Sequence, residues 1–162
     1  MTETLKKIVS GAQTGVDRAA LDAALNLDFP CGGWCPQGRV DEFGTIPNHY
    51  PVKELKRGGY HQRTLQNIID SDATLIIYTN ELEGGTQETL FRCIKQRKPY
   101  KLIDTRETSA ARAAELTGEF VCQKSIATLN VAGPRASKWP EAYDYTLETV
   151  EALIKHFLSD IR

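Results

Sequence analysis

The stretch Ala73–Thr79 (ATLIIYT) constrains this chain more than any other. A nearly continuous apolar run of that length reads as a strand covered on both faces, the environment of a parallel sheet, and it is placed here as a central strand. The segment after it, a polar turn with Gly84 and Gly85, runs into a helical stretch from about Thr86 to Gln96, with Leu90, Phe91 and Ile94 on one face. Pro99 ends that helix, and Tyr100–Ile103 reads as the next strand.

The same alternation recurs elsewhere. Lys7–Ser10 is a short β-branched run ending at Gly11, followed by Val16, Ala20, Ala23 and Leu27 at helical spacing. A strand falls near Phe29–Gly32, a helix over Tyr60–Ser71, and a last strand over Ala127–Ala132, closed by Gly133 and Pro134. The final helix carries Tyr143, Leu147, Val150, Ile154, Phe157 and Ile161 as one apolar stripe. Strands alternating with helices predict a Rossmann-like three-layer α/β/α fold, with a mostly parallel sheet of about five strands and right-handed crossovers. A chain of 162 residues without a dividing linker or repeat is read as a single ligand-binding domain over residues 1–162. Gly, Pro and polar residues dominate from Gly33 to Gly59, which predicts a long irregular segment, ordered and functional, with Ile46 and aromatic residues to pack.

Composition narrows the functional classes. Twenty basic against twenty-one acidic residues give a net charge of −1, which lacks the footprint of a nucleic-acid binder; the short cluster Lys95, Arg97 and Lys98 reads as a solvated helix end. No apolar run is long enough to suggest a membrane span, and the N-terminus lacks a secretion-signal pattern, so a cytoplasmic protein is expected. Cys31, Cys35, Cys93 and Cys122 are too scattered for a disulfide framework, and no second pair at ligand spacing follows Cys31 and Cys35, so no metal site is expected. His49, His61 and His156 are dispersed.

In a parallel α/β sheet each strand delivers its following loop to the same edge, where ligands bind. Three glycine turns should meet there: Ser10–Gly15, Thr79–Asn80 continuing to Thr86, and Gly133–Ser137. Glycine lets backbone N–H groups approach an anion, and the helix N-terminus behind it adds a partial positive charge, so together they suit a phosphate. The predicted binding residues are Gly11, Gln13, Thr14, Gly15, Arg39, Gly84, Gly85, Thr86, Gly133 and Arg135. Thr14 with Asp17 three residues on also resembles a helix cap. Arg39, Asp41 and Glu42 could face the pocket or form a surface salt link, and Arg63, Thr64, Asp70 and Asp72 are weaker candidates. The Lys-Ser/Thr of a nucleoside-triphosphate P-loop and the dinucleotide G-x-G-x-x-G spacing are both absent from the first turn, which disfavours a kinase or a dehydrogenase. Spacing alone assembles no catalytic set.

These residues carry a family likeness. SGAQTGVDRAALDAA (Ser10–Ala24), GGWCPQGR (Gly32–Arg39), RTLQNIIDSDATLII (Arg63–Ile77), GGT (Gly84–Thr86) and LNVAGPR (Leu129–Arg135) together resemble the putative molybdenum carrier family, over nearly the whole chain. The resemblance implies a Rossmann-like carrier that holds the molybdenum cofactor, a pterin bearing a phosphate, and works as a homo-oligomer. A more distant likeness to lysine-decarboxylase-like proteins implies nucleotide-derived ligands. The nucleotide phosphoribohydrolases of that distant group carry P-G-G-x-G-T-x-x-E, ending in a working glutamate. Here Glu88 stands one place early, a rotation of about 100° on a helix that should aim it elsewhere. The residues therefore favour a carrier over a hydrolase.

Overall fold

The computed structural model describes residues 4–159; Ile161 lies outside them. Its frame is a five-stranded parallel sheet built from β1 (Lys7–Val9), β2 (Cys31–Gly32), β7 (Ala73–Tyr78), β8 (Tyr100–Asp104) and β9 (Thr128–Ala132), in the order β2-β1-β9-β7-β8. Helices α1 (Val16–Asn26), α2 (Tyr60–Ile69), α3 (Gly84–Lys95), α4 (Ala110–Lys124) and α5 (Ala142–Ser159) flank it. This is the Rossmann-like α/β architecture that the alternation of runs predicts.

Ala73–Ile77 are buried throughout, as a strand covered on both faces requires. The middle of the sheet belongs to β9 rather than β7, because the last strand inserts between β1 and β7. One face is covered by α1, α4 and α5. Leu75, Ile77, Leu129 and Val131 pack there with Val16, Ala20, Val121, Val150, Leu153 and Phe157 in the main core. The neighbouring strand residue Ile76 points the other way and meets Ile68 of α2 and Cys93 of α3, as the two-residue period demands.

Three readings need correction. Phe91 and Ile94 are 57% and 53% exposed, so the apolar stripe expected on α3 does not face the sheet; Thr89 and Cys93 are its buried line, with Leu90 packed at the margin. Helix α4 has no counterpart in the sequence reading. Its buried face is mostly Ala110, Ala113, Ala114, Thr117 and Gly118, side chains too small to write a strong apolar period. Its start is conventional, with the Ser109 hydroxyl accepting from the Arg112 N–H at 3.1 Å. Residues 33–59 are less irregular than expected: β3 (Trp34–Cys35) pairs with β6 (Lys53–Glu54), and β4 (Val40–Asp41) with β5 (Gly44–Thr45). Cys35, Ile46, Tyr50 and Val52 give this segment its own small core, closed by Ala12 and Leu21.

Candidate functional site

Because β1, β9 and β7 run parallel, Ser10–Gly15, Gly133–Ser137 and Thr79–Thr86 leave the sheet at one edge. The connections also diverge there: β1 leads to β2 on one side and β7 to β8 on the other, so a crevice opens above the reversal. A cavity of about 600 Å³ occupies it, lined by Gln13, Gly84, Gly85, Thr86, Gly133 and Arg135 of the predicted set.

The three turns differ in what already occupies them. In the first, the Asp17 carboxylate accepts from the Gln13 N–H at 3.3 Å, and α1 is capped by Gly15 with no side-chain hydrogen bond, so Thr14 is not the cap. In the third, Glu42 accepts from the Ser137 N–H at 3.2 Å and from the hydroxyls of Ser137 and Thr14. The second is open. No side chain caps α3 among the described residues, and a Cβ built on Gly84 or Gly85 would meet nothing within 4 Å. The first bond of α3 runs from the Gln87 N–H to the Glu83 carbonyl at 3.2 Å, which leaves the Gly84, Gly85 and Thr86 amides without intrahelical partners.

Positive charge comes from neighbouring elements. Arg63 of α2 and Arg135 flank the Tyr60 ring, with guanidinium carbons 5.9 and 5.7 Å from its centroid, and Lys138 joins them on the wall. Arg63 is mostly buried, yet its ion pair with Asp17 is long, at 3.5 Å, and its Nε has no partner. Burial pushes the Asp17 carboxyl above its usual range, opposed first by Arg63. This guanidinium is therefore incompletely satisfied by the chain's own groups. Glu88 also lines the cavity, so its one-place shift does not remove it. Its carboxylate accepts from His61 Nδ1 at 2.6 Å and from Arg92 at 2.9–3.0 Å; burial opposes ionisation, but these bonds hold it below the ordinary carboxylate value.

The remaining predicted residues support the cavity or lie away from it. Gly11 receives the Arg63 side chain, and Gly15, at φ 79°, packs on the backbone of Pro134–Ala136, where a Cβ would be 2.5 Å from the Pro134 carbonyl. Thr14 accepts from the Ala136 N–H at 3.1 Å. Arg39 does not face the cavity: it donates to the carbonyls of Pro47 and Val52 at 2.8 and 3.0 Å and ties the 33–59 segment together. Asp41 pairs with Arg18 at 2.8 Å. Thr64 lines the cavity, whereas Asp70 accepts from the Trp34 indole and Asp72 from the Ala127 and Thr128 amides. Reading glycine turns alone left out Asp17, Tyr60, His61, Lys138 and Trp139. For α2 a signal existed, since Tyr60, Arg63, Thr64 and Asn67 repeat at three and four as a polar face.

A parallel sheet whose turns and cationic side chains converge on a cavity above its strand-order reversal defines a Rossmann-like α/β protein with an open cavity at the C-terminal edge of its strands. The chain belongs to the circularly permutated YpsA SLOG family, whose model matches residues 8–154. It is similar to the crystal structure of a "putative molybdenum carrier protein" from Syntrophus aciditrophicus SB, at 42% identity over 94% of this chain and 96% of that chain, with a TM-score of 0.91. No curated protein matches. Among the described residues, no helix is long and apolar enough to cross a membrane.

Proposed function

We propose that this protein is a carrier that binds one phosphate-bearing small molecule, such as the molybdenum cofactor, in the cavity at the C-terminal edge of its sheet. The observation that carries this reading is the difference among the turns: two hold the chain's own carboxylates, and the α3 turn is open with its amides unpartnered. An anionic group at Gly84–Thr86 receives N–H bonds and the helix dipole, with Arg63, Arg135 and Lys138 across the cavity for charge-assisted bonds. The name of the similar protein from Syntrophus points to a molybdenum-related cargo. The test is calorimetry with molybdopterin and with the complete cofactor. A saturable complex that the Gly85→Val variant fails to form supports the reading, and no heat with either compound overturns the cargo.

A second reading has a specific observation behind it. Glu88 stays on the cavity wall, its carboxylate held below the ordinary value by the bonds from His61 and Arg92, where the working glutamate of a phosphoribohydrolase would stand. Incubation with nucleoside monophosphates separates the two, because a hydrolase releases free base and a carrier leaves the nucleotide intact.

A further inference from the structure

Glu42 sits at the tip of the β4–β5 hairpin beside Phe43, which is 75% exposed, and it does not line the cavity. Its carboxylate nevertheless joins segments far apart in the chain. It accepts from the Thr14 hydroxyl of the first turn and from the Ser137 N–H and hydroxyl of the third, while Thr14 in turn accepts from the Ala136 N–H. Two neighbouring bonds hold the hairpin in place: Gln13 Nε2 to the Val40 carbonyl at 3.0 Å, and Arg18 to Asp41 at 2.8 Å.

The donors gathered on Glu42 are those an exogenous oxyanion would recruit: two hydroxyls and a backbone N–H at a glycine turn, near a guanidinium. Ser137 lies inside a tight turn in which the Lys138 and Trp139 amides donate back to the Arg135 carbonyl at 3.0 and 3.2 Å. Fixing Ser137 therefore fixes the segment that presents Arg135, Lys138 and Trp139 to the cavity. We propose that Glu42 is a positioning residue: a built-in carboxylate occupies the anion seat of the third turn and so holds Arg135 and Lys138 on the cavity wall. Burial opposes its ionisation, but the bonds from Ser137 and Thr14 and the field of Arg135 keep it ionised, as a permanent anion surrogate must be.

This inference rests on the carrier reading only for its effect on affinity, so the experiment has an arm that needs no ligand. Amide exchange at Ser137 is measured by NMR in the full chain and in Glu42→Ala, Glu42→Gln and Phe43→Ala, and the affinity of each for molybdopterin is measured by calorimetry. In Glu42→Ala, exchange at Ser137 accelerates and affinity falls, each by about tenfold, the scale of one charge-assisted hydrogen bond. Excess formate, which fills the vacated seat, restores both, and formate has no effect on the unsubstituted protein. Glu42→Gln keeps the volume and one acceptor oxygen and gives an intermediate result even where the alanine variant fails to fold. Phe43→Ala changes neither quantity. Unchanged exchange in Glu42→Ala overturns the proposal, and so does accelerated exchange with unchanged affinity. If the unsubstituted protein binds neither molybdopterin nor the complete cofactor, the proposed cargo falls, and exchange with formate rescue decides on its own whether Glu42 holds the turn.

Discussion

The Arg63 side chain lies directly against the backbone of Gly11, where a Cβ would stand 2.5 Å from its guanidinium carbon. Gly11 does not bend the chain into a left-handed conformation. Its missing side chain is what allows an arginine from α2 to reach between the first turn and Asp17.

Gly11→Ala therefore acts on binding through Arg63. The added methyl meets the Arg63 Cδ at 2.6 Å as well as the guanidinium, so the whole end of the side chain must move. The clash is with the movable end of a side chain rather than with backbone, so its cost in stability is small. Under the proposed carrier function, the ligand loses a hydrogen bond to a charged group, worth about 1.5–3 kcal/mol, or roughly tenfold or more in affinity. Calorimetry with molybdopterin alongside urea unfolding measures both, and unaltered affinity would remove Arg63 from the binding residues.

Gly85→Val separates binding from stability in the opposite sense. A Cβ here meets nothing within 4 Å beyond its own helix, so the melting temperature should stay within a few degrees, the shift expected for less than about 1 kcal/mol. The valine projects into the space an anion would need above the open amides, and affinity should fall at least tenfold if one hydrogen bond of about 1.5 kcal/mol is lost. Loss of both stability and affinity would make this turn structural.

The contrast between these two glycines shows how far the sequence could be read. Strand-turn-helix periodicity was enough to bring Gly84, Gly85, Thr86 and Gly133 to one edge, because parallel pairing fixes where every such loop emerges. It could not show that Gly11 serves an arginine 52 positions away, nor that Asp17 and Glu42 fill two of the turns, since those partners meet only through the folded sheet. Arg39 misled for the same reason: a cation in a loop near a site is informative only once its acceptors are known, and here they are backbone carbonyls. Helix α4 was missed because alanine and glycine can bury a face without marking a period.

Asp41 supplies the pH dependence. Although burial pushes its carboxyl up, the hydrogen bond from Arg18 and the Phe43 amide hold it below 3.8. A depressed pKa contributes stability that is present above the unfolded value and lost as pH falls through the folded one. Asp41→Asn should therefore destabilise the protein at pH 7, by up to about 3 kcal/mol because the mostly buried Arg18 loses its counter-charge. As the pH is lowered through the folded pKa, the two proteins should converge in urea midpoint. A gap that stays constant with pH would mean that the ion pair contributes nothing through ionisation.

The exposed α3 stripe gives the last test. Sequence periodicity places Phe91 and Ile94 in a core, yet both are more than half exposed. Truncation there removes little buried apolar area, and replacement of either by serine should change the unfolding free energy by no more than about 0.5 kcal/mol, against about 2–5 kcal/mol for truncating a large buried aliphatic residue such as Ile76. Urea unfolding of Phe91→Ser, Ile94→Ser and Ile76→Ala makes the comparison, repeated at two protein concentrations. A cost above 1 kcal/mol for either serine variant that grows with protein concentration would show that a second copy covers this face, since only association makes apparent stability depend on concentration. A large cost independent of concentration would instead place α3 nearer the sheet than its exposure indicates.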